Sequence, residues 1–463
     1  MIDEKIVGTL NLFNEECLFT YENCLLSISF DIDNQNVKPL EKGVLKQKTI
    51  TGLIHNGSQF ITFYIGNNNY YTGLNIKFFA QTTLTIAIKF YIIHSRPLDS
   101  IKFTAVKLRF KNDKLRKFFG YYEDHKLPKK LTKRKTLKYS TIFNTNSLSN
   151  EATVNLCRNK IKIYPYFALT HNFSSIVLHS GFDIVYKTKS IDYDFVYLLF
   201  EDFYKTLKFL FYRQNVELGE ISLHLKYIIG SKYMFDKIGD CFLPFDNRYE
   251  MENSDLNKTN DFGFIQWMTA YKYLPTIFDL IHNDKLYLHN IPSNKKEKGF
   301  TSINSASLDA SAFEFEYDKL YRKVNLFTDL SDRQMVKDKI KSLLPSFEND
   351  NQRTIITHCM EGINKPTLKM KNKKALEDFA FIMKLLGDKF GYKDYAEEIS
   401  QEFKNKRNAI DHGLKNLSIT NDTANAYYLE RILIYSMQLK RIGMSNDEIL
   451  QSVKTVFELF NYY

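Results

Sequence analysis

The chain has 463 residues and a mass of 54.6 kDa, with 44% hydrophobic and 25% charged residues. That balance is globular and excludes a disordered or collagen-like chain, and the length suits two to four domains. Formal net charge is +11, and the window Lys102–Lys138, with 14 Lys/Arg against 3 acids, carries all of it.

The opening MIDEKIVGTL lacks the apolar core of a secretory signal, and no run approaches the roughly 18 apolar residues that span a bilayer. The five cysteines are scattered without a CxxC pair. Free thiols, no zinc site, no membrane and a cytoplasmic location are the expectation.

In chain order, the first half alternates like a sheet. The segments 5–13, 24–30, 60–65, 74–93, 101–110, 160–167 and 175–187 are rich in Val, Ile, Thr, Phe and Tyr and are punctuated by Gly, Asn, Asp and Pro. They predict an antiparallel sandwich or barrel-like sheet. A helix is predicted over 193–214, a strand over 221–229, and a second helix over 264–281 that is interrupted at Pro275. IPSNKKEKGFTSINS at 291–305 reads as a linker.

Everything beyond it reads as helix: a segment through Phe313, Tyr317, Leu320 and Val324, then 331–345, 351–363, 373–390, 394–412 and 422–442. Ser445-Asn-Asp-Glu448 is a capping box that opens a last helix, with Ile449, Val453, Val456 and Phe460 on one stripe. The fold class predicted is therefore α+β. An antiparallel β-rich domain with a few helices (1–290) is followed by the linker (291–305) and an all-α bundle (306–463).

Two basic segments are candidate contacts for a polyanion. One is LPKKLTKRKTLKY, with Lys129, Lys130, Lys133, Arg134 and Lys135. The other is a stretch read as a loop between bundle helices, with Lys365, Lys369, Lys371, Lys373 and Lys374. Solvated surface is the competing reading of both. No phosphate loop, GxGxxG, HExxH or GxSxG is present.

One motif carries a mechanism: Phe403-Lys-Asn-Lys-Arg407-Asn408-Ala-Ile-Asp-His412-Gly413. Metal-independent RNA cleavage must deprotonate a 2′-hydroxyl, neutralise charge on phosphorus and protonate the leaving 5′-oxygen. A histidine exchanges protons near neutral pH. An arginine stays cationic and forks onto phosphate oxygens, and an asparagine orients either group. On a straight helix Arg407 and His412 stand about 140° apart, so they converge only if the helix ends near Gly413 or a second subunit completes the site. An Arg407–Asp411 ion pair beside a helix-terminal histidine is the alternative. A second Arg-x4-His pair, Arg353 to His358, places Ile355 and Ile356 inside and reads as a core-facing helix.

A helical domain of this size with RNxxxH late in its third or fourth helix resembles the HEPN superfamily. The Ala312-Phe-Glu314 helix and the RIGMSNDEIL segment after the motif fit as well. With the sheet-rich first half, the chain resembles the ApeA-type HEPN proteins of bacterial anti-phage defence. The likeness of the first half rests on the strand pattern, GLIHNGSQFITF from Gly52 and GFDIVYK from Gly181.

The resemblance implies a metal-independent endoribonuclease without cofactor that cuts RNA, with tRNA one candidate, in abortive infection. It implies a homodimer with a composite cleft and a phage-derived trigger. The family's Arg, polar residue and His fall on Arg407, Asn408 and His412, and Glu402 is the candidate for its further acidic residue. The alternative is a non-catalytic protein that binds nucleic acid through the basic N-terminal patch and only dimerises through its helices.

Overall fold

The computed structural model describes residues 5–12, 15–31, 46–55, 57–66, 71–76, 81–115, 117–119, 150–172, 175–243, 263–322, 324, 326–327, 329–346, 349–363, 365–411 and 419–459. It is α+β, as the periodicities predict, and divides into two compact units, Met1–Lys285 and Leu286–Tyr463.

The strands of the first unit are β1 (Ile6–Leu12), β2 (Glu15–Glu22), β3 (Leu25–Asp31), β4 (Thr49–Ile54), β5 (Phe60–Tyr64), β6 (Tyr71–Ile76), β7 (Gln81–Ala87), β8 (Phe90–His94), β9 (Ala105–Lys111), β10 (Ala152–Leu156), β11 (Asn159–Asn172), β12 (Ser175–Lys187), β13 (Glu220–Ile229) and β14 (Lys232–Phe242). Its helices are α1 (Tyr193–Phe211) and α2 (Trp267–His282). All described strand pairs are antiparallel, in the order β10-β11-β12-β9-β13-β14-β8-β5-β4-β1-β2-β3-β7-β6.

The sheet curls in its N-terminal part. Phe63 of β5 meets Phe19 of β2 edge-on with ring centroids 5.4 Å apart, and Tyr91 of β8 lies 4.8 Å from Tyr21 of β2. In a flat sheet at about 4.8 Å per strand these pairs would be about 14 and 19 Å apart. The strands therefore bend around a shared core of Leu10, Phe19, Leu26, Ile28, Ile61, Phe63 and Ile86. Gly52 serves this bend: a Cβ there would come within 2.8 Å of the Thr9 carbonyl and 2.9 Å of the Phe19 ring. Gly181 on β12 allows close approach to β9, where a Cβ would collide with the Phe110 carbonyl at 1.7 Å.

The other part of the sheet packs on α1, whose N-cap Asp192 accepts from the Phe195 amide. Phe110 and Phe182 meet Phe203 at 4.9 and 5.1 Å, and Trp267 of α2 covers Phe182.

Three expectations change here. The predicted 74–93 run falls on three strands, β6, β7 and β8, with a break at Ile88-Lys89 between the last two. Cys24 sits in the β2–β3 turn and not in a strand. Pro275 does not interrupt α2: it lies on the exposed side, while Leu274, Ile277, Phe278 and Ile281 are buried, so the missing N–H bond falls on the outward face.

The helices of the second unit are α3 (Ile303–Leu320), α4 (Leu330–Leu343), α5 (Asp350–Ile363), α6 (Leu368–Asp378), α7 (Ala380–Lys389), α8 (Tyr395–Asp411), α9 (Asn421–Arg441) and α10 (Asn446–Val456). The predicted 373–390 helix is two, α6 and α7, with Phe379 as the break between them. The Ser445–Glu448 capping box forms in full at α10, and Ile449, Val453 and Val456 are buried; Phe460 lies outside the described residues.

The segment predicted as a linker is instead structural. Ile291 and Lys298 are buried, α3 already begins at Ile303, and Arg431 of α9 donates to the carbonyls of Lys298 and Phe300 at 2.9 and 3.1 Å. The same guanidinium pairs with Asp309 of α3 at 2.7 Å, and both side chains are essentially inaccessible. Composition suggested a loose tether, but the backbone carbonyls of this stretch satisfy a buried cation.

Glu430, fully buried on α9, accepts from Asn372 of α6 at 2.6 Å. Burial, with a smaller push from the charge of Asp309, raises its carboxyl to about 8 against 4.5 for an ordinary glutamate. The folded state therefore keeps a proton that the unfolded chain loses. Stability from this group is complete below about pH 4.5, falls as pH rises to about 8, and is flat above. The difference in melting temperature between Glu430→Gln and wild type is expected to grow in favour of the variant across that window. Parallel melting curves at all pH values would contradict it.

Among the described residues no helix is long and apolar enough to cross a membrane, and all five cysteines are free thiols.

Candidate functional site

Helix α8 positions the motif. It opens on a reciprocal cap: Asp394 accepts from the Glu397 amide at 3.1 Å, and Glu398 accepts from the Lys393 and Asp394 amides at 2.9 and 2.8 Å. Ala396, Ile399, Ser400 and Phe403 follow at i, i+3, i+4 and i+7 and are buried. Phe403 anchors the helix between α3 and α9, with ring centroids 5.6 Å from Phe313 and 5.3 Å from Tyr427.

Arg407 is the next residue on that stripe, one turn beyond Phe403. It is half-buried, and its Nη2 lies 3.5 Å from Oε1 of Glu314 on α3. Asn408 is exposed one position round the wheel. Lys404, four residues earlier and half-exposed, shares the Asn408 face. Lys404 and Lys406 bring two more cations to the end of the helix, which the Arg, Asn and His of the motif do not by themselves signal.

Helix α8 ends at Asp411. His412 lies outside the described residues.

Glu402 has a partner elsewhere. Its Oε1 accepts from the buried Thr423 hydroxyl at 2.6 Å, at the first turn of α9, where Thr420 caps the helix. A carboxylate at the positive end of a helix is favoured there. Glu402 precedes Arg407 by five residues, which places the two about 140° apart on α8. The structure thus gives Glu402 a helix-joining contact and does not bring it to Arg407.

Lys369, Lys371, Lys373 and Lys374 are on a helix rather than in a loop, and Lys365 precedes it. Thr367 caps α6 by accepting from the Met370 amide, and Asn372, Ala375 and Leu376 bury one face, which fixes the segment as helix. Lys369 and Lys373 both pair with Glu397 of α8, the latter at 2.9 Å. Lys371 pairs with Asp318 at 2.8 Å and Lys374 with Asp378 at 2.5 Å. Lys369, Lys371 and Lys373 tie helices together, while Lys374 pairs within its own helix, so the positive charge is partly offset. Lys129, Lys130, Lys133, Arg134 and Lys135 lie outside the described residues.

Comparison with models of known families, with curated proteins and with solved structures returns no match in any of the three.

Proposed function

We propose that the chain is a metal-independent endoribonuclease of the HEPN kind, acting as a homodimer in anti-phage defence in the cytoplasm. In this reading the β-rich unit senses a phage-derived trigger, and the helical unit cuts RNA, with tRNA a candidate substrate.

The observation that carries the reading is the placement of Arg407. It stands at the end of the buried stripe of α8, braced by Glu314, one turn before Asp411, the last described residue of that helix. A half-buried guanidinium has lost part of its hydration and stays cationic toward a phosphate. Asn408 beside it is open to a ribose or to an imidazole.

In the reaction His412 takes the proton of the 2′-hydroxyl, whose oxygen attacks the adjacent phosphorus. Arg407 holds the non-bridging oxygens as their charge grows. The bond to the 5′-oxygen breaks, and that oxygen is protonated by an imidazolium, either the same one or that of the second subunit.

This path leaves a 2′,3′-cyclic phosphate on one fragment and a 5′-hydroxyl on the other. The expected result, with chelator present, is fragments that a 5′-kinase labels directly. Fragments with 5′-phosphate, or cutting that stops with chelator, would contradict the mechanism. RNA binding without any cutting would favour the non-catalytic alternative.

A further inference from the structure

The second Arg-x4-His segment does not face the core: Ile355 of α5 is 61% exposed. Chemistry without an assigned role lies instead on the β-rich unit. Phe110 and Phe182 turn toward α1. By the two-residue period of a strand, Lys107 and Arg109 of β9 and Asp183 of β12 therefore stand on the opposite face of the sheet. Such a face commonly meets water in an antiparallel sheet. Here Lys107, Asp183 and His224 of β13 are only 8%, 4% and 8% exposed.

Register brings these groups together. Asp183 stands opposite Arg109 across β12 and β9, and Lys107 stands opposite His224 across β9 and β13. Arg109 forks onto Asp183 through Nε and Nη2 at 2.7 and 2.8 Å, and its guanidinium carbon lies 3.7 Å from the centre of the Tyr166 ring. Both carboxylate oxygens are thus engaged. Lys107 reaches the same carboxylate only at 3.7 Å, and its ammonium lies 4.8 Å from the centre of the Phe235 ring. Lys226 of β13 lies 5.9 Å from that ring centre, and no carboxylate among the described residues pairs with it. His224 meets the Ser222 hydroxyl through Nε2 at 3.0 Å, and its Nδ1 has no partner among the described residues.

The charges at this spot do not balance. Lys107, Arg109 and Lys226 share one carboxylate, Asp183. The lysines around them are matched: Lys162 with Glu151 at 2.8 Å, Lys237 with Asp240 at 2.7 Å and Lys111 with Glu220 at 3.2 Å. Burial, with a further push from Lys107 and Arg109, holds the His224 imidazole down at about 4, so near pH 7 it is a neutral N–H donor. A buried cation without its own counter-charge is costly. Two positive charges in excess match a phosphate monoester, which carries about −1.5 to −2 near pH 7. A phosphodiester carries one negative charge and leaves a cation uncompensated.

We propose that this face of the β-rich unit binds the phosphate of a small phosphate monoester. Lys107, Lys226 and Nη1 of Arg109, the nitrogen that Asp183 leaves unused, supply charge and donors. Nδ1–H of His224 supplies a neutral donor. The Tyr166 and Phe235 rings beside the cations offer flat surfaces to the rest of the ester, so AMP is the carrier tested. The site belongs to the other unit from Arg407, and its test reads binding alone, so it stands or falls apart from the ribonuclease reading.

Calorimetry on the full chain at fixed salt compares AMP, inorganic phosphate, adenosine and the diester dinucleotide ApA. Binding of AMP or of inorganic phosphate is expected, and the tighter of the two tells an ester from the free ion. Adenosine and ApA are expected to bind at least about 10-fold more weakly. Lys107→Gln leaves the Arg109–Asp183 fork in place, and Lys226→Gln changes a half-buried position. Each is expected to weaken binding about 10- to 100-fold with the circular dichroism spectrum unchanged. If Lys107→Gln does not fold, Lys226→Gln decides. No binding of either phosphate at millimolar concentration, adenosine or ApA binding as tightly as AMP, or an unchanged affinity in Lys226→Gln would overturn the proposal.

Discussion

Replacing Arg431 with alanine is expected to lower the stability of the helical unit by about 3–5 kcal/mol. The guanidinium is 1% exposed and makes contacts that nothing else in the core can replace: Asp309 through Nε and Nη2, and the Lys298 and Phe300 carbonyls through Nη1. Alanine would strand a buried carboxylate whose remaining donor in that cluster is Asn290, at 3.2 Å, and would release the 297–300 segment. The cost is that of the uncompensated charge, since a buried pair as a whole contributes little against apolar groups of similar volume. The double variant Arg431→Met with Asp309→Leu should therefore recover most of the loss. Chemical denaturation followed by circular dichroism measures both. A single-variant loss below about 1 kcal/mol, the scale of an exposed ion pair, would contradict the account.

Replacing Arg407 is expected to do the reverse, with little effect on stability and a large effect on activity. Its pair with Glu314 is 3.5 Å long between half-exposed groups, which is worth at most about 1 kcal/mol. Losing a cation that stabilises a developing phosphorane is worth about 2.7–4 kcal/mol, or roughly 100- to 1000-fold in rate. Arg407→Lys should also be slow, because an ammonium keeps the charge without the fork. A rate within a few-fold of wild type for Arg407→Ala, with RNA binding retained, would remove the residue from the chemistry.

Much of the architecture was legible in the residues. The 175–187 strand and the Ser445 capping box are read off within a residue, because alternation and caps are local signals. Strands β2 and β10 were not. Each is joined to the next strand by a two-residue turn with positive φ at both positions, Asn23-Cys24 and Cys157-Arg158, and neither has the glycine that usually marks such a turn. The linker was misread because Pro, Ser, Asn and Lys describe a solvated tether unless a distant arginine claims the backbone.

That arginine left a trace. Glu430 and Arg431 stand inside the apolar run from Leu429 to Ile434, where charged residues are either partnered or unaffordable. For the candidate site, Arg-x4-His spacing located Arg407 but carried no information about Glu314, which comes from another helix. The resemblance, not the spacing, offered Glu402 as a further acidic residue of the site, where the fold gives that carboxylate to Thr423.

The most direct test of the cleavage mechanism is the rate at which wild type and His412→Ala cut RNA under single-turnover conditions with a chelator present. The account predicts chelator-resistant cutting by wild type and a loss of at least about 100-fold in the variant, with RNA affinity and circular dichroism preserved. Equal rates for the two proteins, or no cutting by wild type in its dimeric form, would contradict it.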